Sequence, residues 1–319
     1  MPPRPYVFIM DPIERINIHA DSTFVMMTEA QERGHALLYA TPAGLELAGD
    51  QPWIEAHPIE VRRHPGAHFT LQSPRRLNLN DAQAVFMRKD PPFDIEYVMS
   101  TYVLDRIDRR RVVLVNDPRA LRDANEKIFA MEFPAITPET IITRRPARIR
   151  EFIEAKGDVV VKPLIGAGGA GVVQLKRGDK NINAILELLT QEGRSLIAAQ
   201  VFLPRVTEGD RRVLLIDGEP VGVINRRPRA DDLRSNMHVG GTAEAAQLSD
   251  RDREISAVIG PELRRRGLVF VGIDVIDGWL TEINVTSPTG IQEVNRFDGV
   301  EIEALLLDWV ERRVAELGQ

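Results

Sequence analysis

The stretch GLVFVGIDVIDGWLTEINVTSPTG, residues 267–290, carries the strongest structural signal in the chain. Two apolar runs flank the pair Asp277-Gly278, a dipeptide that is typical of the turn in a β-hairpin. Three side chains in the hairpin have oxygen atoms that can bind a metal ion, namely Asp274, Glu282 and Asn284. Glu282 and Asn284 are two residues apart on one strand and therefore point to the same face.

The register of this hairpin determines whether Asp274 joins them. A two-residue turn would pair Asp274 with Thr281, whereas a three-residue loop at residues 277–279 would pair Asp274 with Glu282. The second register leaves one face wholly apolar and collects the polar side chains on the other. Because a slip of one residue exchanges the two faces, we favour the three-residue loop.

Oxygen ligands of this kind suit Mg²⁺, which keeps several waters and takes its remaining ligands from substrate phosphates. Mn²⁺ is the second candidate for the same site. The hairpin alone is equally consistent with a solvated polar strand face, so the metal prediction needs support from the rest of the chain.

Length and composition restrict the possible classes of protein. The chain has 319 residues, enough for two or three domains, and is 43% hydrophobic and 28% charged, as expected of a folded globular protein. A net charge of -6 argues against a nucleic-acid or membrane-surface binder. The absence of cysteine excludes thiolate metal sites and a cysteine nucleophile. We expect a soluble cytoplasmic protein.

The N-terminal part predicts a β-α-β unit, with strands at residues 6–10 and 36–40 and a helix that begins near Asp21-Ser22. A partly parallel sheet follows from this order. Residues 50–80, rich in proline, histidine and arginine, are predicted to be irregular, and His64 and His68 to lie in a surface loop rather than a metal site.

Arg88 and Lys89 follow a predicted strand at residues 84–87. Ligands of open α/β sheets bind at such strand ends, and two cations there can hold a carboxylate or a phosphate. The alternative is an ordinary charged strand exit. A helix at residues 96–108 and a strand at residues 112–115 complete this part.

A second motif is DVVVKPL, residues 158–164, followed directly by GAGGAG. The glycines connect strand to strand, whereas a Walker loop or a Rossmann turn would need a helix after them. A glycine-rich hairpin tip can lie over phosphates as a lid and donate backbone N–H groups. We therefore predict a phosphate-binding segment formed by Lys162, Gly166, Gly168, Gly169 and Gly171.

The apolar strand IAAQVFL, residues 197–203, contains Gln200 and could line an adenine pocket. Residues 225–242 are polar and predict a mobile loop that carries Arg226, Arg229 and Arg234. Together these parts describe an ATP site between two β-rich layers, where arginines could stabilise charge on a transferring phosphoryl group.

With these motifs the sequence resembles the bacterial glutathione synthetases of the ATP-grasp superfamily over nearly the whole chain. The resemblance is carried by MDPIERINIHADSTF, FMRKDPPFD, LRDANEKIF, TPET, KPLIGAGGAGV, VLLIDGEP and FVGIDVIDGWLTEINVTSPTGI. The combination of MRKDPPFD with TEINVTSP is specific to that family, whereas the lysine-glycine segment marks only the superfamily. The implied fold is α/β (α+β): an N-terminal Rossmann-like domain at residues 1–123, a central lid subdomain at 124–200 and a C-terminal catalytic subdomain at 201–319.

The resemblance also implies a reaction, in which ATP drives the joining of gamma-glutamylcysteine to glycine through an acyl phosphate in a homotetramer. ATP-binding positions would be Lys127, Lys162 and residues Gln200, Val201, Phe202 and Leu203, with Asp210 near the ribose. Catalytic positions would be Arg212, Arg226 and Arg234, and the metal ligands would be Asp274, Glu282 and Asn284. Substrate-binding positions would be Arg88, Lys89, Asp90, Asn236, Ser287, Pro288 and Thr289.

The chain departs from the family where Ile165 and Ala167 stand in the lid and around His238. Two other functions remain open at this stage. One is another ligase joining a carboxylate to an amine, such as one adding glutamate to a peptide end. The other is a nucleotide-binding regulator without catalysis.

Overall fold

An eight-stranded sheet forms the N-terminal part of the computed structural model, which describes residues 4–166, 168–232, 234, 235, 237 and 240–318. Its central strands run in the order β3-β4-β2-β1-β7-β8, and β1 is parallel to β2 and β7. The predicted β-α-β unit is thereby confirmed. The elements are β1 (Tyr6–Met10), α1 (Ser22–Glu32), β2 (Leu37–Ala40), β3 (Leu45–Ala48), β4 (Gln51–Val61), β5 (Phe69–Leu71), β6 (Arg75–Asn78), β7 (Ala84–Arg88), α2 (Ile95–Leu104), β8 (Val113–Val115), α3 (Pro118–Asp123) and α4 (Glu126–Ala130).

The prediction of an irregular region at residues 50–80 is wrong. β4 is an 11-residue strand on which Ile54 and Ala56 are buried, and β3, β5 and β6 pair with it. Prolines and histidines interrupt the apolar pattern of this segment in the sequence, so the alternation of buried and less buried side chains along β4 was not recognised. His68 is also buried rather than in a surface loop, with Nε2 2.8 Å from the carbonyl oxygen of Ile13.

The central part is a four-stranded antiparallel sheet with strand order β11-β10-β12-β9. Two helices cover it, and Ile149, Phe152 and Leu186 from these helices form a separate hydrophobic core with the sheet. The elements are β9 (Thr140–Thr143), α5 (Pro146–Lys156), β10 (Val159–Pro163), β11 (Val173–Leu175), α6 (Ile182–Leu189) and β12 (Ile197–Val201).

The C-terminal part is a five-stranded sheet with strand order β15-β14-β13-β16-β17. The helices that follow this sheet pack back on the first part, where Arg33, the residue after α1, pairs with Asp308 and Glu311 at 2.7 and 2.9 Å. The elements are β13 (Asp210–Ile216), β14 (Glu219–Arg227), β15 (Thr242–Ala245), α7 (Asp250–Arg266), β16 (Phe270–Ile276), β17 (Trp279–Asn284), α8 (Ile291–Asp298) and α9 (Ile302–Glu316).

The β16–β17 hairpin has the predicted pairing but not the predicted loop. Asp274 pairs with Glu282, while Ile276 pairs with Trp279, so the turn contains only Asp277 and Gly278. Both turn residues have positive φ, 51° and 73°, as a type I′ turn requires. A β-bulge at Thr281 accommodates the extra residue and brings Glu282 to the face of Asp274.

The chain thus combines helices with three sheets, which agrees with the predicted α/β (α+β) class. The exact limits at residues 123 and 200 remain a prediction. In the part of the chain that the structure describes, none of the helices combines the length and apolarity needed to cross a membrane.

Candidate active site

A cavity of about 480 Å³ lies between the central and C-terminal sheets. We call it the first cavity. One wall of the first cavity comes from β10, β11, β12 and the chain that follows β12. The opposite wall comes from β13, β14 and the β16–β17 hairpin. Predicted site residues that line it are Lys162, Gly169, Gln200, Val201, Phe202, Leu203, Asp210, Arg226, Arg234, Asp274 and Glu282.

A second cavity of about 340 Å³ opens beside the first. Its walls come from the end of the N-terminal sheet, the glycine-rich segment and the chain after β17. Four residues line both cavities: Gly169, Val172, Asp274 and Glu282. The predicted residues that line only the second cavity are Asp90, Lys127, Gly166, Gly168, Arg212, Asn284, Ser287, Pro288 and Thr289.

Asp274 lies at the junction and is held by two arginines. Arg212 donates from Nε and Nη2 to its two carboxylate oxygens at 2.5 and 3.1 Å, and Arg226 Nη2 lies 2.9 Å from Oδ1. Burial would raise the pKa of Asp274, but the two guanidinium groups lower it well below its usual value. Asp274 is therefore an ionised carboxylate, and Asn284 Nδ2 donates to it at 3.3 Å.

Two lysines meet at Glu282. The Nζ atoms of Lys127 and Lys162 each lie 3.7 Å from Glu282 Oε1, although the lysines come from different parts of the chain. Lys162 Nζ also donates to Gln200 Oε1 at 3.2 Å. Two lysine side chains therefore lie close together where the two cavities meet, and both could face phosphate oxygens.

Glu126 is a site residue that the sequence reasoning missed. It forms an ion pair with Lys127 and lines the second cavity. Burial raises the pKa of Glu126, and the nearby charge of Glu282 raises it further. Burial by itself would lower the pKa of Lys127, but the charges of Glu282 and Glu126 outweigh burial, so the pKa of Lys127 is raised. Acidic residues are common in the first turn of a helix, where they interact favourably with the helix dipole. The sequence therefore does not mark Glu126 as a site residue, and only the fold shows that it lines the cavity.

The glycine-rich segment adopts conformations that other residues disfavour. Gly169 has φ +79°, and a Cβ atom placed there would lie 3.2 Å from Cδ of Arg234. Gly171 lines neither cavity; a Cβ there would lie only 2.7 Å from Cγ of Pro163, so this glycine permits close packing. Ile165 is 66% exposed, and Ala167 is outside the described residues.

The placement of Arg226 in a mobile loop is wrong. β14 extends to Arg227, so Arg226 is a buried strand residue whose Nη2 donates to Asp210 Oδ2 at 2.5 Å. Asp210 also accepts a hydrogen bond from the Ser235 hydroxyl at 2.8 Å. Burial raises the pKa of Asp210 to about 6, with Arg226 opposing and Asp274 adding to the shift.

Arg88 is buried beneath the second cavity rather than exposed in it. Its guanidinium donates to Thr23 Oγ1 at 3.1 Å and to the carbonyl oxygen of Pro288 at 2.9 Å. Lys89 pairs with Asp11 at 2.9 Å and lines neither cavity. Asn236 is outside the described residues.

The predicted metal ligands have suitable chemistry. Asp274, Glu282 and Asn284 supply two carboxylates and one amide oxygen on one face of the hairpin, which are hard donors of the kind Mg²⁺ binds. Within the described residues no group of three or more histidine, aspartate or glutamate side chains could hold a metal ion. A site here therefore depends on the asparagine and on ligands from a bound molecule.

Comparisons with known proteins agree with this geometry. The family model described as prokaryotic glutathione synthetase, N-terminal domain, matches residues 5–122, and the one described as prokaryotic glutathione synthetase, ATP-grasp domain, matches residues 126–299. The chain is 48% identical to the glutathione synthetase of Brucella melitensis biotype 1, over 95% of this chain and 97% of that one. It is also 48% identical to that of Bradyrhizobium diazoefficiens, over 96% and 98% of the two chains.

Solved structures share the fold at low sequence identity. The D-cycloserine synthetase DcsG has a TM-score of 0.67 and 15% identity, over 97% of this chain and 100% of that one. The ATP-grasp ligase PsnB with a minimal precursor has a TM-score of 0.65 and 18% identity, over 97% and 99%. A further PsnB structure, with a TM-score of 0.62 and 17% identity over 97% and 98%, contains Mg and ADP.

Proposed function

The chain belongs to the prokaryotic glutathione synthetase family, and from this premise we propose how its two cavities divide the reaction. It is an ATP-dependent ligase of carboxylates and amines. ATP occupies the first cavity, gamma-glutamylcysteine and glycine occupy the second, and the phosphoryl group is transferred where the cavities meet at Asp274 and Glu282.

The first cavity supplies the groups that a nucleotide needs. Backbone groups of residues 201–203 can pair with the edge of the adenine base, and apolar side chains cover its faces. Asp210 has one buried carboxylate oxygen, Oδ1, with no hydrogen-bond partner among the described residues. A ribose hydroxyl would satisfy this acceptor.

Lys127, Lys162 and the backbone N–H groups of the glycine-rich segment neutralise the phosphates. Mg²⁺ held by Asp274, Glu282 and Asn284 would screen the phosphate charge that develops during transfer. The same site would accept Mn²⁺, which prefers similar oxygen ligands.

In the second cavity, the cysteinyl carboxylate of gamma-glutamylcysteine attacks the γ-phosphorus, the bond from phosphorus to the ADP oxygen breaks, and an acyl phosphate forms. The glycine amine then attacks the acyl carbon, loses a proton and displaces phosphate. Arg212 supports this region because it binds Asp274 and donates from Nη1 to the carbonyl oxygen of Thr289 at 3.3 Å. The backbone N–H groups of Ser287 and Thr289, on either side of Pro288, can donate to the substrate carboxylate.

The observation that supports this proposal is the shared wall of the two cavities, because Asp274 and Glu282 line both of them and Lys127 and Lys162 approach Glu282. The test is turnover with gamma-glutamylcysteine, glycine, ATP and Mg²⁺. We expect ADP and phosphate release that requires both amino-acid substrates, and glutathione as the product. ADP release with neither substrate, or only with a different acceptor, would contradict the proposal.

A Glu282→Gln variant separates catalysis from a purely regulatory role. It removes one carboxylate from the junction with little change in shape, and we expect turnover to fall about a hundredfold or more. Normal turnover would favour a nucleotide-binding regulator. We also propose a cytoplasmic homotetramer, because ATP and a reduced thiol substrate are available in the cytoplasm and the resemblance implies this assembly; light scattering tests the mass.

A further inference from the structure

Asn116 lies where the N-terminal sheet meets the β16–β17 hairpin. It directly follows β8, is 4% exposed and lines neither cavity. Its Nδ2 donates to the carbonyl oxygens of Phe270 and Val285 at 2.8 and 2.7 Å. Its Oδ1 accepts from the N–H groups of Val269 and Phe270 at 2.7 and 2.9 Å. The side-chain amide thus makes four hydrogen bonds, which is all that its two donors and its oxygen can form.

These four hydrogen bonds lie just beyond the point where the pairing between β16 and β17 ends. The last pair of the hairpin is Gly272 with Asn284. Phe270 and Val285, which lie beyond that pair, bind the Asn116 amide, so this side chain takes the place of a further pair in the ladder. Buried backbone groups need hydrogen-bond partners. Both strands of the hairpin are therefore attached to the N-terminal sheet through one amide.

The chain that leaves the hairpin is held to the N-terminal sheet at a second point. Arg88, the last residue of β7, donates from Nη2 to the carbonyl oxygen of Pro288 at 2.9 Å. β7 and β8 are neighbouring parallel strands, so Arg88 and Asn116 lie at the same end of the sheet. Residues 285–288 are therefore fixed to this end of the sheet at their first and last positions.

The second cavity lies between the parts that these contacts join. Asp90 follows β7, whereas Asn284 and Ser287 belong to the end of β17 and to the chain after it. The position of the hairpin relative to the N-terminal sheet therefore sets the width of the second cavity. The first cavity differs in this respect, because within the described part of the chain it is lined only by residues from Val160 onward.

From these contacts we propose that Asn116 is a positioning residue for the ligase reaction, which fixes the hairpin to the N-terminal sheet and so keeps the second cavity at the width that gamma-glutamylcysteine requires. It acts through Val285 and Phe270 and touches neither substrate nor nucleotide. The inference rests on the proposed function for its effect on the reaction. The attachment of the hairpin to the sheet does not depend on that function.

The Asn116→Asp variant tests the proposal with almost no change in side-chain shape. One carboxylate oxygen can still accept from the N–H groups of Val269 and Phe270, but the other would face two carbonyl oxygens to which it cannot donate. The hairpin should then shift relative to the sheet, and a misplacement of about 1 Å can reduce a reaction rate about a hundredfold. We expect kcat/KM for gamma-glutamylcysteine to fall about a hundredfold, while titration calorimetry gives the wild-type Kd for ADP with Mg²⁺.

Asn295→Asp is the matched control, because Asn295 also joins two chain segments through its amide and lies outside both cavities. Its Nδ2 donates to Glu303 Oε2 at 2.6 Å, and its Oδ1 accepts from the N–H group of Ile302 at 3.2 Å. We expect this variant to lose stability but to keep the wild-type kcat/KM. An unchanged kcat/KM in Asn116→Asp would overturn the proposal, as would an equal fall in Asn295→Asp or a parallel loss of ADP affinity in Asn116→Asp.

Amide hydrogen exchange of the wild type tests the attachment itself and requires neither a substrate nor a variant that folds. The N–H groups of Val269 and Phe270 should exchange as slowly as those of β8, because they open only when the hairpin leaves the sheet. Asn116→Ser is the second, uncharged variant, and in it these two groups should exchange about tenfold faster.

Fast exchange of these two groups in the wild type, or exchange that is unchanged in Asn116→Ser, would overturn the proposal. Asn116→Ser should also show the same fall in kcat/KM as Asn116→Asp. A wild type that forms no glutathione would overturn the proposed function instead, and the exchange rates would still decide whether Asn116 attaches the hairpin to the sheet.

Discussion

Lys162 extends from β10 into the first cavity, and its position defines a test at the scale of one residue. Its Nζ atom contacts Gln200 and Glu282 and would face the phosphates of a nucleotide. Removing a charge-assisted contact costs about 1.5–3 kcal/mol, so we expect Lys162→Ala to weaken nucleotide binding by about ten- to a hundredfold. Titration calorimetry with ADP and Mg²⁺ measures this.

Lys176→Ala is the matched control for that experiment, because Lys176 is an exposed lysine just after β11. We expect both variants to keep the thermal unfolding temperature of the wild type. Unchanged nucleotide affinity in Lys162→Ala would remove this lysine from the ATP site.

Asp210 provides a second test, which concerns pH. Burial raises its pKa from the ordinary value of 3.8 to about 6. Between these values the folded chain binds more protons than the unfolded chain, so Asp210 makes the free energy of unfolding fall as pH rises from about 4 to about 6. Because asparagine does not titrate, the Asp210→Asn variant should lose this contribution. Urea unfolding across the window should show the difference between the two proteins, and parallel curves would refute it.

The β16–β17 hairpin shows how a single element positions the metal ligands. The bulge at Thr281 is what brings Glu282 opposite Asp274, and the Thr281 hydroxyl stabilises it by donating to the carbonyl oxygen of Asp274 at 3.0 Å. Valine has nearly the same shape but cannot donate. We therefore expect Thr281→Val to lower the free energy of unfolding by about 1 kcal/mol and to weaken the binding of Mg²⁺ with nucleotide.

Thr242→Val is the control for the hairpin, since Thr242 is an exposed strand residue at the start of β15. Denaturant unfolding and calorimetry should distinguish the two substitutions. If both variants behave alike, the hydroxyl of Thr281 does not support the bulge.

At the scale of the whole molecule, the hydrophobic cores do not follow the three parts of the chain one by one, because the N-terminal and C-terminal parts share a core and the central part has its own. Leu306 of α9 is buried in a core that includes residues of β1 and α1 as well as β13 and β14. The central sheet has its own core, which contains Ile153. The N-terminal and C-terminal sheets should therefore unfold together, and the central part should be able to open separately.

Two core substitutions test this division. Leu306→Ala should cost about 2–5 kcal/mol and accelerate hydrogen exchange in both β1 and β13. Ile153→Ala should cost a similar amount but accelerate exchange only in the central sheet. Faster exchange in the central sheet of Leu306→Ala, to the same extent as in β1, would show that the three parts form one cooperative unit.

The sequence predicted this molecule best where a signal is local. Alternation and turn residues identified the β16–β17 hairpin, and a lysine before glycines identified the segment near Lys162, because side-chain direction along a strand has a period of two. The family resemblance added the residue roles that spacing alone left open. The local signals and the resemblance together predicted the fold class and most residues that line the two cavities.

Other features depended on contacts between residues far apart in the chain, which no local pattern encodes. The burial of Arg226 between Asp210 and Asp274 and the approach of Glu126 to Glu282 both result from how strands and sheets pack. The direction of a pKa shift depends likewise on burial and on neighbouring charges. The sequence by itself determined which chemical groups the chain carries and which strands present them, whereas only the tertiary structure decided which groups meet, because distance and desolvation arise from packing.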